Sequence, residues 1–471
     1  MTFWLIQGSI CRMLRPYRGN IFLGNLLKLT VERCVVMSFN VKVYPRLRLD
    51  ISFPDLILSY GSVFDRPRHS PSAAQIAAIQ SIWLNEFCPT EVKRNELKKF
   101  DRAETRPARS IDNVLVTLSV RTAFDLLLQS LALPPGSEVL MSAVTIRHMV
   151  EIVECHDLIP IPVDIDLATL APAIGSLEAL ISGNSKVLVI AHLFGAIINL
   201  DPYIEICRQH NILLVEDCAQ AFAGSKYPGY TEADVSFFSF GLIKSCTALG
   251  GAVSIIKDTQ LATKMHALEQ TYPLKREDWF YGRVSKSIWL KLLTLPWIYG
   301  LLLILIQALG KDLDATINGT ARGFSQGDIL TKIRYRPPAA LMALLHRRLQ
   351  GGDRLSQTFA TRASIARQFL TLLKPGIICP GNLADFHSFW LVHILTEHPK
   401  ILMVKLREHG FDATRGTTSL VVVTPSTDRD IPLPTNSAYL LQHCLCLPVS
   451  PALPKTELKR LAGLINEFAG C

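Results

Sequence analysis

Between Asn211 and Gly251 the chain sets four chemically useful side chains beside two apolar runs. Asp217 closes the first run, and Gln220 follows three residues later. Ser239 closes the second, and Lys244 stands five residues beyond it, ahead of Gly250 and Gly251. Upstream, Arg121, Thr122 and Ala123 open a stretch with helical spacing. Singly, each has an ordinary explanation. An Asp after a strand is commonly a helix cap, and a lysine with no acid between Asp234 and Asp258 can be a surface residue. Together they match one chemistry. A lysine amine of lowered proton affinity adds to a carbonyl to form an imine. A carboxylate that keeps a pyridine nitrogen protonated makes that ring an electron sink, and a phosphate is well met by a helix N-terminus and a hydroxyl. Lys244, Asp217, Ser239 and the helix start at Arg121, Thr122 and Ala123 fill those roles for pyridoxal 5'-phosphate.

The elements that must hold these groups alternate in kind. From Asn113 onward, short β-branched runs at 137–143, 158–166, 186–195, 211–220, 234–240 and 250–257 are separated by helix-length segments, among them 121–133 and one near 145–156. Continuous apolar runs between helices predict a mostly parallel sheet buried on both faces, so the fold class is α/β. Ligands of such sheets bind beyond the carboxyl ends of the strands. Ser142, Thr145, Asp164, Asp166, His192, Asp217, Gln220 and Ser239 all fall there. After Gly323 the pattern changes. Pro337 and Pro338 open a helix expected to run to about Leu373, then come strands at 388–395 and 419–424 and a terminal helix at 455–468. This predicts a smaller α+β domain.

The same residues carry a family resemblance. VEDCAQA, SFFSFGLIK with its following GG, VIAHLFG and SVRTAFDLLL resemble the DegT/StrS-type aminotransferases, pyridoxal-phosphate enzymes of fold type I that mostly act on keto sugars of nucleotide sugars. PVDID and RYRPPAALMALLHRRL fit as well, and the resemblance covers roughly residues 43–465 with a poor match at 270–325. It implies a fold-type-I large domain, a smaller C-terminal α+β domain and an inserted apolar helical segment. It implies that Lys244 bonds the cofactor and carries the proton to and from the donor Cα. Asp217 would pair with the ring nitrogen, Gln220 would lie beside the ring, and Ser239, Thr122 and the backbone from Arg121 to Ala123 would hold the phosphate. It also implies a homodimer whose neighbouring subunit completes the site, with Arg334 standing where an asparagine is usual and able to reach a phosphate. Two further departures are Val120-Arg121 in place of a glycine-led turn before Thr122, and Ile146, with His148 nearby, where an aromatic usually stacks on the ring.

The activity this implies is transfer of an amino group from an amino-acid donor, glutamate by expectation, to a keto acceptor: a keto sugar or an amphiphilic, lipid-linked keto compound. The sugar-dehydratase branch replaces the lysine by histidine, and Lys244 argues against it. The competing reading is a catalytically silent relative of this fold, acting as a membrane-associated binding or regulatory protein.

Composition narrows the setting. The net charge is +9, yet residues 1–50 alone hold eight cations against two acids. The remainder offers no basic face of the kind nucleic acid needs. The 11 cysteines, odd in number and without a CxxC pair, read as free thiols in a reducing cytoplasm, with no metal site. Mean hydropathy is +0.26, and its unusual source is 292–310, which has no charge. A single membrane span there would put Lys244 and Arg334 on opposite sides of a bilayer. The segment is therefore expected either to touch a membrane peripherally, at the inner face, or to be buried against a dimer partner. The chain divides into a basic, apolar N-terminal extension at 1–36, a helical arm at 37–110, a large cofactor-binding domain at 111–270, an apolar helical insertion at 271–330, and a long helix with the small domain at 331–471.

Overall fold

The computed structural model describes residues 41–46, 48–61, 71–87, 110–310, 328–415, 419–425 and 429–468. The expected extension at 1–36 and much of the expected arm lie outside the described residues. Helices α1 (Phe53–Gly61) and α2 (Ala73–Ile82) precede the sheet. The large domain opens with β1 (Val114–Thr117), α3 (Val120–Leu131), β2 (Glu138–Ser142), β3 (Val144–Ile146), α4 (Arg147–Glu154), β4 (Ile159–Val163) and α5 (Ile174–Leu180). It continues through β5 (Ser185–Ala191), β6 (Ala196–Ile197), α6 (Asp201–His210), β7 (Leu213–Asp217), β8 (Val235–Ser239), β9 (Ala252–Ile256) and α7 (Thr259–Thr271).

Seven strands form one sheet in the order β1-β9-β8-β7-β5-β2-β4. The four pairs from β4 to β8 are parallel, and β9 runs antiparallel to both β8 and β1. The run at 250–257 is thus the reversed strand of a mostly parallel sheet. No crossover helix separates it from β8, and a chain that returns without one comes back antiparallel. Side chains alternate between two buried faces, as the period of two requires. Val187, Val189, Val215 and Phe237 pack with Phe124 and Leu127 of α3. Leu188, Ile190 and Leu214 point the other way, to Tyr203 and Ile206 of α6.

The apolar insertion forms α8 (Glu277–Leu293) and α9 (Pro296–Ala308), which meet at 93°. Pro296 opens α9, a position where its missing N–H costs nothing. Among the described residues no single helix is long and apolar enough to cross a membrane, although this bent pair passes that test by length and composition together. One side of α9 is covered by the chain itself: Tyr299, Gly300, Leu303 and Ile306 are buried. Tyr299 donates to Asp412, which also takes two hydrogen bonds from Arg46.

The C-terminal part comprises α10 (Ile329–Ile333), α11 (Ala339–Leu349), α12 (Gly352–Leu370), β10 (Phe386–His387), β11 (Val392–Leu395), α13 (Pro399–Glu408), β12 (Leu420–Val422), α14 (Thr435–His443), β13 (Cys444–Leu447) and α15 (Lys455–Phe468). The antiparallel pair β11–β13 is covered through Phe369, Leu402, Leu406, Phe411 and Leu461. The single helix expected to run on to Leu373 is instead two, α11 and α12, separated at Gln350-Gly351. The adjacent Gly351 and Gly352 weaken a continuous helix by about 2 kcal/mol, and the break lets α12 turn toward the small domain.

Candidate active site

Four neighbouring strands bring the candidate groups to one edge of the sheet. Asp217 ends β7 and Ser239 ends β8, two parallel neighbours. Ser239 is level with Ala252 on β9, which is level with Thr117 on β1. Two residues beyond Thr117, Ser119 caps α3 by accepting the Thr122 N–H at 3.2 Å. The N-terminus of α3 therefore opens beside Ser239, about 10 Å across the sheet from it, with its first N–H groups directed outward.

Lys244 lies in the loop between β8 and β9, which is fastened from several sides. The Lys244 N–H donates to Gly241 O at 3.0 Å, and Phe240 N–H to Gly251 O at 3.0 Å. The Cys246 N–H donates to Asp50 Oδ2 at 2.9 Å, Arg362 donates to Ser245 Oγ at 2.6 Å, and Arg348 to Thr247 O at 3.2 Å. Cys246 and Leu249 hold left-handed backbone (φ 54° and 65°), a conformation that persists when surroundings over-determine it. The small domain contributes Trp390, whose Nε1–H donates to Ile243 O at 3.0 Å and whose ring lies under Lys244 Nζ, 4.3 Å from its centroid.

Burial pulls the Lys244 ammonium down to about 8; the Asp217 charge opposes this and the Arg121 charge adds to it. Burial likewise raises Asp217, whose Oδ1 accepts the Ala219 N–H at 2.9 Å, and the Lys244 charge works the other way. Arg121 and Arg283 are both pulled to about 10 by burial, and the charge of Arg283 lowers Arg121 further. Arg283 donates to Leu249 O and stacks on Trp279, 4.4 Å from the ring centre. His148 stands 3.5 Å from Arg121 Nη1 and is held low by burial and by that guanidinium.

Behind Asp217 lies a buried polar cluster. Glu216 is fully buried and accepts from His192 Nε2 at 2.8 Å, Ser236 Oγ at 2.6 Å, the Tyr230 N–H at 3.0 Å and the Tyr227 hydroxyl. Burial alone would raise it, but these donors outweigh burial and bring it to about 2. His192 Nδ1 accepts the Ile198 N–H at 3.1 Å, which leaves Nε2 to carry the ring proton. His192, Glu216 and Cys218 bring donor atoms within 4.8 Å of one another, a grouping that could receive a metal only by breaking these hydrogen bonds.

Two sequence-marked residues are committed elsewhere in this chain. Thr122 Oγ1 donates to Ile333 O at 2.9 Å. Arg334 grips the buried Asp125 with two hydrogen bonds, at 3.0 and 2.9 Å. Ala123 is buried in the first turn of α3, and Ile146 is spent on the pairing of β3 with β12. Gln220 Oε1 accepts the Phe194 N–H at 2.8 Å. Phe194 in turn stacks on His393 of the small domain, ring centres 3.9 Å apart. Trp390 and Arg283 escaped sequence reading. Trp390 lies in a run that reads as a strand, and Arg283 in one that reads as an insertion.

Comparisons with known proteins bear on the fold and on the family resemblance. The sequence model of the DegT/DnrJ/EryC1/StrS aminotransferase family matches residues 92–284. The match is confined to that stretch, less than half of the chain. A GDP-perosamine synthase of Caulobacter vibrioides is 34% identical over 163 residues, 34% of this chain and 44% of the relative. One from Escherichia coli O157:H7 is 27% identical over 205 residues, 43% of this chain and 54% of the relative. The chain thus spans about half the length of the curated relatives it matches. Among solved structures, the aminotransferase TlmJ from Streptoalloteichus hindustanus superposes with a TM-score of 0.61 at 16% identity, covering 92% of this chain and 98% of that one. Helicobacter pylori PseC, an aminotransferase involved in the biosynthesis of pseudoaminic acid, gives 0.59 at 15% identity, covering 92% and 99%. The fold of this chain is that of the fold-type-I aminotransferases.

Proposed function

We propose that this chain is a pyridoxal-phosphate-dependent aminotransferase that moves an amino group from an amino-acid donor, glutamate in our reading, to the ketone of a sugar or of an amphiphilic, lipid-linked compound, working as a homodimer. The observation that carries the reading is Lys244: a fastened lysine with its ammonium pulled down to about 8, coupled to the Asp217 carboxylate and roofed by an aromatic ring. The residues suit the cofactor. Asp217 is a half-buried carboxylate whose proton affinity burial raises, and a protonated ring nitrogen would satisfy it. The Ser239 hydroxyl, the α3 N-terminus and the like charges of Arg121 and Arg283 suit a phosphate.

Bound pyridoxal phosphate supplies a protonated ring that draws off the electron pair left when the donor's α-proton departs. The chain supplies the rest. Lys244 Nζ, able to be neutral near physiological pH, takes the proton from the donor Cα and returns one in the reverse half-reaction. Asp217 holds positive charge at the strand end, and Trp390 shields Nζ from water. The GDP-linked product in the relatives' name is what points to a nucleotide-linked sugar as acceptor.

Purified protein mixed with pyridoxal phosphate should take on a visible absorbance that borohydride fixes on Lys244, as mapped by peptide mass spectrometry, and that Lys244→Ala abolishes. Glutamate should bleach it. A protein that takes up no cofactor would overturn the reading and favour the catalytically silent alternative.

A further inference from the structure

We propose that α9 and the end of α8 form a contact face for an anionic lipid bilayer, so that the protein sits on a membrane surface while its active site remains outside the bilayer. Trp297, Leu301 and Leu305 of α9 and Leu309, which caps its end, recur every four residues and are exposed to 59%, 58%, 57% and 62%. Trp289, near the end of α8, is exposed to 65%. The opposite side of α9 is locked. Tyr299 is tied to Asp412, the Val43 N–H donates to Pro296 O at 3.0 Å, and a Cβ on Gly300 would stand 2.0 Å from the Val41 carbonyl oxygen. The helix cannot roll to hide its apolar strip, and a contiguous strip of this kind marks an interaction surface.

Charge identifies the occupant. From Lys286 to Lys311 the sequence holds three lysines, at 286, 291 and 311, and no acid. Lys42 Nζ lies 5.8 Å from the centre of the Trp297 ring, and Lys291 Nζ lies 5.3 Å from that of Phe53. An apolar strip bearing tryptophans, with Lys42 beside one of them and a lysine-bearing, acid-free segment around it, matches the headgroup level of an anionic membrane, where each nearby lysine adds about 1 kcal/mol. A second copy docked here by a two-fold axis would place this lysine-bearing, acid-free segment against itself, with no acid within it to answer its charge. At 1.5 Å per residue α9 is about 20 Å long, short of the ~30 Å hydrocarbon core, and the 93° bend turns α8 away. α9 therefore lies in the interface rather than crossing it. The proposal is independent of the aminotransferase reading.

The test is flotation of the full chain with vesicles of mixed phosphatidylcholine and phosphatidylglycerol, against phosphatidylcholine alone. The chain should float with the mixed vesicles, and the double variant Leu301→Gln, Leu305→Gln should bind them at least about ten-fold more weakly while keeping the parent's circular dichroism. In the unsubstituted chain, tryptophan emission should shift to the blue on vesicle addition. The proposal is overturned if the chain ignores both vesicle types, if the double variant floats as well as the parent, or if emission is unmoved. It is overturned too if the double variant keeps its vesicle binding but loses self-association, which would assign the face to a second copy.

Discussion

Lys244 of the large domain lies over the ring of Trp390 from the small domain, 4.3 Å from its centre, and the same indole donates to the backbone of Ile243, the residue before the lysine. One side chain thus fixes both the loop and the amine at its tip. A cation–π contact is worth about 0.5–2 kcal/mol, and a hydrogen bond about 1 kcal/mol. Trp390→Ala should weaken pyridoxal phosphate binding by roughly ten- to a hundred-fold, read by absorbance titration. Trp390→Phe keeps the ring and loses the donor, so it should fall between parent and alanine. Equal affinity in all three would show that the roof plays no part.

The lowered proton affinity of Lys244 has consequences for the cofactor-free protein. Unfolded, the lysine holds its proton up to 10.5; folded, it releases it at about 8. Between these values the unfolded state binds more protons, so stability should rise with pH across that window. Below about 8 the buried ammonium costs up to about 3 kcal/mol, and Lys244→Met should therefore melt higher than the parent at neutral pH. Cofactor uptake, which needs the neutral amine, should quicken about ten-fold from one unit below that value to one unit above it. A flat rate profile, or a methionine variant that melts lower, would contradict the assignment.

The sheet was legible because buried parallel strands leave unbroken apolar runs, and the strand-end position of Asp217 and Ser239 followed from them. The reversal of β9 was not, since direction depends on the connection and not on the run. The split between α11 and α12 was signalled by Gly351-Gly352, yet the apolar spacing on either side masks it. Trp390 and Arg283 reach the site through tertiary packing from segments far along the chain, and no local spacing marks such an approach. The partner of Arg334 illustrates the same limit. Its charge was visible in the sequence, but the buried Asp125 that receives it sits on a helix 209 residues away.

That pairing makes a separate prediction. Asp125 is fully buried and also accepts from Tyr272, at 2.7 Å, and from Gln129, at 3.0 Å, with His156 at 2.9 Å. Arg334→Met leaves this carboxylate with fewer donors and should cost about 2 kcal/mol of stability, discounted for the arginine's partial exposure. Cofactor affinity should change little. A variant of parental melting temperature that binds pyridoxal phosphate weakly would instead place the guanidinium on the phosphate of a neighbouring subunit, as the family resemblance implies.

Glu216 gives the sharpest pH signature. Its folded proton affinity is held at about 2 against a usual value of 4.5, so it stabilises the fold fully above 4.5 and loses that contribution as pH falls toward 2, an effect of about 3 kcal/mol. Glu216→Gln removes the charge and turns an amide NH₂ toward hydroxyl and N–H donors that it cannot satisfy. Destabilisation of about 3–5 kcal/mol is expected at neutral pH, with the acid limb of the stability curve flattened below 4.5. Ser236→Ala removes one donor of several and should cost about 1 kcal/mol, leaving the limb in place. Melting curves of the three proteins from pH 3 to 7 decide it, because a glutamine variant that kept the parent's acid limb would show that another carboxylate produces it.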